Sequence, residues 1–558
     1  MRSLAPRVAH GALQVLQLLL MLLAMLSSPL IHASTALIAA KSASVGESIY
    51  RHGVLGSGMP LAASRGEGLS ISGGEAACLN CHQRSGLGAK AGNRFIPPLA
   101  GAYLFRVRPT DGDDSELPFV EGMHGAREPY TDTTLARAIR EGLDSEGRPL
   151  DDLMPRFELN DVDMAALIDY LKSLGQAKVP GVSDTVLHFA TIITPDADLV
   201  KVAGMLDVLR QFFADKNAFP VGATPRLHSS RKMMFMANRH WQLHVWRLNG
   251  APSTWTQQLE RHLAEEPVLA VISGQGRDNW VPVQAFCEQK SIPCLFPNVE
   301  VPPIDADQYF YSMYFSKGIL LEADLIANQL NEAGASKMPK VVRQIYRAGD
   351  SGEAGAKALT VLLERRGIKV RRQVLASGAL GQGVAQAIRH NTSADALVLW
   401  LRPADLQALG PVPDASTSVF MSGLMGGLDR SPLPPAWRNR TQLAYPFDLP
   451  GQRRVRVDFA RGWFAIRHIA VVDEQVQTDT YLACSMLAET LSHMADTFVH
   501  DYLVERVVDT LEHRIITGYY PRLTLASGQR FASKGGYFVR FSDESSTTIV
   551  PESEWIRP

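Results

Sequence analysis

The sequence predicts a multidomain protein in which a small all-α domain is followed by a larger two-lobed α/β domain. Three observations lead to this prediction. The chain of 558 residues is too long for a single hydrophobic core. Apolar residues recur at helical spacing between residues 43 and 175, whereas beyond residue 186 strands alternate with helices in two successive series.

The formal net charge of −1 argues against nucleic-acid binding, which requires a basic surface.

Residues 1–36 are predicted to form a secretory signal peptide. Arg2 and Arg7 precede an uncharged, leucine-rich run over 11–31, and small residues follow in the string HASTA. The run is nearly long enough to span a bilayer, so an uncleaved membrane anchor is the alternative. Cleavage predicts a mature protein in the periplasm.

The chain has five cysteines, and an oxidising compartment permits disulfides. Cys287 and Cys294 lie seven positions apart and are a candidate disulfide pair, although the geometry that a disulfide needs cannot be read from the sequence. Cys484 lies in an apolar helical pattern and is expected to be a small buried residue. The remaining two, Cys78 and Cys81, belong to a motif.

The string CLNCH (78–82) is the attachment signature of c-type haem. Thiols two residues apart match the separation of the two haem vinyl groups, and the adjacent His82 reaches the iron. A thioredoxin-like redox motif would need a strand before it and a helix after it, whereas glycine-rich segments flank this string. A zinc site would need further ligands, and the sequence has no second C-x-x-C. We therefore expect one covalent haem bound by Cys78 and Cys81.

Three helices are predicted around this motif, over 45–53, 131–142 and 160–175. With them, the segment 43–175 resembles a class I monohaem cytochrome c. In that family an early helix carries a glycine and an aromatic residue that cross the last helix, and the resemblance assigns these roles to Gly46 and Tyr50. A glycine-rich insertion before the haem cysteines departs from the family and is expected to form a flap over the haem edge.

The resemblance also implies the remaining haem contacts. Pro97, in the string PPLAG, offers its carbonyl to the haem histidine, so His82 is one axial ligand of the iron. Met154, in the string LMPRF, is the other axial ligand. The alternatives in the same segment are Met59, Met123, Met164, His52 and His124.

The segment 176–185, with a Pro-Gly pair, is predicted to be a linker to the α/β domain at 186–558. This second part resembles the type 1 periplasmic solute-binding proteins of the branched-chain amino-acid-binding kind. The resemblance implies a ligand loop after the third strand, where Ser273, Gly274 and Arg277 are the nearest candidates. Because the loop lacks the family's small hydroxyl after the glycine, binding of ordinary amino acids is not expected.

Together these features predict a periplasmic c-type cytochrome that transfers single electrons through one haem and is coupled to a solute-binding domain. The expected partners are a periplasmic dehydrogenase, another cytochrome or an oxidase, together with a small-molecule solute. The alternative is a solute-binding or sensory protein of the ABC-transporter type whose haem reports redox state. An enzyme that oxidises a bound solute is less favoured, because the sequence shows no base, nucleophile or second cofactor.

Overall fold

The computed structural model describes residues 44–66, 68–91, 94–106, 127–175, 179–218, 239–332, 339–389, 394–494, 497–526 and 528–558. The predicted signal peptide and two of the alternative iron ligands, Met123 and His124, lie outside these residues. The chain divides into two compact units, Met1–Lys178 and Val179–Pro558. In the described segments no helix is both long and apolar enough to cross a membrane.

The first unit is built on three helices, at 44–52, Asp132–Glu141 and Asp161–Ser173, with two single turns at Leu79–His82 and Gly101–Leu104. Asn160 caps the last long helix, since its side chain accepts a hydrogen bond from the Asp163 N–H at 2.9 Å. Gly46 lets the first helix cross this last helix closely, because a Cβ there would lie 2.1 Å from the Ala166 carbonyl oxygen.

The first unit also contains two small antiparallel sheets, which corrects the prediction of an all-α domain. The sequence analysis missed them because strands of three or four residues are too short for a period-two pattern to be recognised. One sheet has three strands and the other is a hairpin: Leu69–Ser72, Ala62–Arg65 and Arg156–Glu158 in spatial order, and Ala89–Ala91 with Arg94–Ile96. The glycine-rich insertion thus pairs with the chain just after Met154.

The second unit has two α/β lobes, each with a seven-stranded sheet. In the first lobe all strands are parallel: His240–Arg247, Val186–Ile193, Ala270–Ile272, Cys294–Leu295 and Ser312–Met313 in spatial order, with Gln275–Gly276 and Asn298–Val299 extending it beside Val186–Ile193. Its helices are Leu199–Ala218, Trp255–Glu265, Val281–Gln289, Pro450–Ile466, Glu474–His493 and His500–His513. Trp246, Trp280 and Phe286 are buried in its core.

The second lobe has the strand order Lys369–Leu375, Val341–Arg347, Ala396–Trp400, Ser418–Ser422, Thr441–Tyr445, Tyr537–Phe541 and Ile549–Pro551. The first five strands are parallel and the last two antiparallel. The strand ALVLW (396–400) is buried along its whole length, as expected for a parallel sheet covered on both faces. The lobe's helices are Ile319–Glu332, Ser351–Glu364, Val384–Arg389, Pro403–Gln407, Gly423–Gly426 and Pro435–Arg438.

The chain passes between the two lobes in three described segments, at 316–318, 446–449 and 532–536. The first crossing joins strand Ser312–Met313 to helix Ile319–Glu332, which packs into the core of the second lobe. After the second crossing, helix Pro450–Ile466 returns to the first lobe, where Trp463 donates a hydrogen bond to Asp215 at 2.9 Å. Three connections place the carboxyl ends of both parallel sheets around a common cleft.

Candidate functional site

The CLNCH motif of the first unit forms a single helical turn. Its first cysteine precedes helix Leu79–His82, and the His82 N–H donates to the Cys78 carbonyl at 3.0 Å. Positions i, i+3 and i+4 share one face of a helix, so Cys78, Cys81 and His82 project from the same side. Both cysteines are free thiols. Burial raises the pKa of the Cys78 thiol to about 12.

His82 is buried, and its Nδ1 lies 2.9 Å from the Pro97 carbonyl oxygen. The carbonyl only accepts, so Nδ1 carries the proton and the Nε2 lone pair is left for a metal. Burial lowers the pKa of His82 to about 4, and the contact with Pro97 opposes this shift in part. The ring is therefore neutral at pH 7, the form that binds iron. Gly88 permits the close approach of the 96–97 segment, since a Cβ there would lie 2.2 Å from the Ile96 carbonyl oxygen.

Met154 is half-buried in a loop that packs against the core of the first unit. The insertion holds this loop in place: Arg65 donates from Nε to the Leu153 carbonyl at 3.0 Å, and Ser64 pairs with Arg156. The described alternatives lie in other environments. Met164 lies on the Asp161–Ser173 helix and is buried in the hydrophobic core of the first unit, whereas Met59 and His52 are exposed.

An open cavity of about 740 Å³ adjoins the Met154 loop, lined by Arg65, Gly66, Leu69, Arg94, Pro149, Leu150, Asp151, Asp152 and Leu153. Two thiols, a neutral imidazole and a thioether are the donor set of a covalent haem with histidine and methionine ligation. The residues present therefore fit haem c. Among the described residues, no group of three or more His, Cys, Asp and Glu side chains is arranged to hold a bare metal ion.

The second unit has a cleft of about 440 Å³ between its lobes. Acidic side chains outnumber basic ones in its lining, and aromatic rings form part of the wall. The charged lining residues are Asp198, Lys201, Glu300, Arg402, Asp429, Arg430, Asp473, Glu474 and Asp479; the aromatic ones are Phe315, Phe447, Tyr519 and Tyr520.

Arg402 bridges the two lobes at this cleft. Its guanidinium donates to both Glu300 carboxylate oxygens, at 3.0 and 2.6 Å, and to Asp350 at 2.6 Å. Glu300 follows the first-lobe strand Asn298–Val299, whereas Arg402 follows the second-lobe strand Ala396–Trp400. Burial raises the pKa of Glu300, but the hydrogen bonds and charge of Arg402 outweigh it and hold this pKa well below its usual range. The cluster therefore stays ionised and fixes the spacing of the lobes.

Two buried acceptors in the cleft lining have no hydrogen-bond partner among the described residues. Oδ2 of Asp479 accepts from the Tyr520 hydroxyl at 2.9 Å and from Gln475 Nε2 at 2.6 Å, but Oδ1 accepts none. Oε1 of Gln275 is likewise unsatisfied. Asp479 and Gln275 are only 2% and 3% exposed. Burial raises the pKa of Asp479 to about 7, and the two hydrogen bonds oppose the shift.

The predicted ligand loop occupies a different position from these groups. Ser273 is buried, and its hydroxyl accepts from Asn298 Nδ2 at 2.9 Å and lies 3.3 Å from the Thr480 hydroxyl. Ser273, Gly274 and Arg277 do not line the cleft, although Gln275 between them does. Cys287 and Cys294 form a disulfide with a Cα–Cα distance of 6.2 Å.

The sequence analysis missed Glu300, Arg402 and Asp479. A signal for the first two was present, since each follows a strand of a parallel sheet and ligand clefts lie at the carboxyl ends of such strands. Asp479 had no comparable signal, because it lies within helix Glu474–His493.

The fold and site define a two-lobed α/β unit with a solute-sized interlobe cleft, preceded by a small unit that carries a haem-attachment motif. No protein-family model and no curated protein matches the chain. A leucine-binding protein of Thermotoga maritima aligns at 12% identity, covering 67% of this chain and 99% of its own, with a TM-score of 0.45.

Two further solved structures align over a similar share of the chain. A fatty acid ABC transporter substrate-binding protein of Thermomonospora curvata has 14% identity, covers 68% of this chain and 95% of its own, and gives a TM-score of 0.47. The branched-chain amino acid transporter substrate-binding protein of Streptococcus pneumoniae, in complex with isoleucine, has 9% identity, covers 67% of this chain and 100% of its own, and gives a TM-score of 0.46. Similarity at this level carries no argument about a ligand, and the two-lobed architecture is defined by the strand order of the chain itself.

Proposed function

We propose that residues 179–558 bind a small solute in the cleft between the lobes, as a solute-binding protein of the ABC-transporter type does. The observation that carries this proposal is the combination of cleft volume, about 440 Å³, with buried acceptors that only a ligand or water can satisfy. The resemblance to type 1 periplasmic solute-binding proteins supports it and implies export to the periplasm.

The test is a thermal-shift screen of the full chain against a library of small metabolites. A bound solute stabilises the folded state by mass action, by about 2.7 kcal/mol at a hundredfold excess over Kd. Gln275→Ala is the matched variant, because it removes one of the two unsatisfied acceptors in the cleft lining. We expect stabilisation of the wild type that is lost in the variant. Absence of any stabilising solute would contradict the proposal.

A second candidate function is single-electron transfer through one covalent haem c in residues 43–175. The contact between His82 Nδ1 and the Pro97 carbonyl favours it, because this bond fixes the tautomer and orientation that an axial ligand needs. When bound, the haem would supply a one-electron redox centre. Cys78 and Cys81 would hold it through thioethers, and His82 and Met154 would bind its iron.

The remaining residues of the first unit orient these groups. The insertion strand Ala62–Arg65 restrains the Met154 loop, and the Pro97 carbonyl restrains the imidazole. With His82 and Met154 both available to hold the iron, the haem would exchange electrons with a periplasmic dehydrogenase, cytochrome or oxidase.

The haem proposal is tested on protein produced with a haem-attachment system. Acid–acetone extraction should leave the haem spectrum with the denatured wild-type chain and remove it from Cys78→Ala/Cys81→Ala. Met154→Ala should lower the reduction potential and remove the weak red charge-transfer band, whereas Met59→Ala should leave both unchanged. Haem that washes out of the wild type would contradict the proposal.

A further inference from the structure

The unsatisfied oxygen of Asp479 defines the chemistry of the cleft ligand. Above its pKa the Asp479 carboxyl is ionised and only accepts hydrogen bonds, so a ligand that satisfies Oδ1 in this form must donate one. The Gln275 amide can rotate to present either its oxygen or its nitrogen, so it can accept a hydrogen bond from the ligand or donate one to it. The two side chains lie at one end of the cleft, because Asn298, which pairs with Gln275 in the sheet, and the nearby Ser273 both hydrogen-bond to Thr480, the residue after Asp479.

Two of the three basic side chains in the cleft lining are already engaged, and the third, Arg430, belongs to the turn Leu428–Arg430 of the second lobe. Arg402 is held by Glu300 and Asp350, and Lys201 lies 3.5 Å from Glu300. By contrast, the charged neighbour that acts on Asp479 is the like-charged Asp473. A cationic ligand would therefore relieve the repulsion between the two carboxylates.

Aromatic rings lie next to the unsatisfied carboxylate. Tyr520, which donates to Asp479, has its ring centroid 5.6 Å from that of Phe315 and 5.5 Å from that of Phe447. Phe447 in turn lies 5.3 Å from Tyr519. These rings offer an apolar wall for the body of a ligand whose charged end reaches Asp479.

We infer that the cleft binds a primary organic ammonium compound, whose N–H groups donate to Asp479 and Gln275 and whose apolar body packs on the aromatic wall. This inference rests on the proposed solute-binding function and narrows it. A quaternary ammonium lacks the N–H donors, and an amino acid brings a carboxylate that Arg402 and Lys201 cannot receive without leaving Glu300.

The test uses four probes that share a phenyl ring: benzylammonium, benzyl alcohol, benzoate and phenylalanine. Isothermal titration of the full chain should show binding of benzylammonium and at least tenfold weaker binding of the other three. Benzyltrimethylammonium, which keeps the charge but has no N–H, should also bind at least tenfold more weakly. Tighter binding of benzoate or phenylalanine would overturn the inference and leave solute binding intact.

Asp479→Asn should weaken benzylammonium binding at least tenfold, or about 1.4 kcal/mol. Glu322→Gln is the matched control, because Glu322 is also a fully buried carboxyl but does not line the cleft. It should leave the affinity unchanged. If both variants fold and bind alike, the inference is wrong. If no probe binds while the metabolite screen finds a solute, the inference fails alone; if neither finds a ligand, the proposed function fails with it.

Discussion

Replacing Asp479 by asparagine should stabilise the folded chain at neutral pH while removing a ligand contact. The carboxyl is 2% exposed, and burial raises its pKa from 3.8 to about 7. The charged neighbour Asp473 raises this pKa further, whereas hydrogen bonds from Gln475 and Tyr520 lower it. Asparagine has the same shape and carries no charge that would be buried, so it resembles the protonated form of the native side chain.

The magnitude follows from the difference between the folded and unfolded pKa. Between about pH 4 and pH 7 the folded chain holds a proton on Asp479 that the unfolded chain has released, so wild-type stability falls as the pH rises through this window. At about 1.4 kcal/mol per pKa unit, the loss approaches about 4 kcal/mol above pH 7. The variant lacks this loss, so its advantage should be near zero at acidic pH and largest at pH 8.

Urea denaturation of wild type and Asp479→Asn at several pH values measures the difference in unfolding free energy directly. A difference that grows with pH and levels off above neutrality is expected. A difference that is constant across this range would refute the reasoning, since it would show that Asp479 does not change its protonation on unfolding. Stabilisation together with weaker amine binding would indicate that a binding group is kept at a cost in stability.

Two further predictions concern the packing of each unit. Arg402→Met should destabilise the second unit by about 1–3 kcal/mol, because Glu300 and Asp350 lose a partly buried partner. Adding Glu300→Gln should recover part of this loss, and additive effects in urea denaturation would contradict the bridge. Gly46→Ala should lower the unfolding free energy of the first unit by about 1–3 kcal/mol, because the added Cβ would clash with Ala166. Gly74→Ala is the control and should be nearly neutral in the same urea denaturation, because a Cβ there would meet nothing within 4 Å. Equal effects of the two substitutions would argue against the close helix crossing.

The predictable parts of this protein are those whose chemistry is local in sequence. The C-x-x-C-H string could be recognised directly, because one helical turn brings Cys78, Cys81 and His82 to the same face, and its role in haem attachment stays a prediction. The two α/β series were predictable because their strands are long or uniformly apolar, as in ALVLW at 396–400. The short strands of the insertion could not be predicted, because Ala62–Arg65 becomes a strand only by pairing with segments such as Arg156–Glu158 that lie far away in the sequence.

Only the tertiary structure reveals the cleft. Glu300 and Arg402 are 102 positions apart in the sequence, and Tyr520, which donates a hydrogen bond to Asp479, is 41 positions from it. The position of Glu300 and Arg402 after parallel strands marks the edge of the sheet where a cleft forms, but a polar side chain in the sequence looks the same whether it will be solvated or buried. Folding decides which carboxylate meets a guanidinium and which is buried without a cation. That difference in environment, and not residue type, separates the structural bridge at Arg402 from the proposed ligand contact at Asp479.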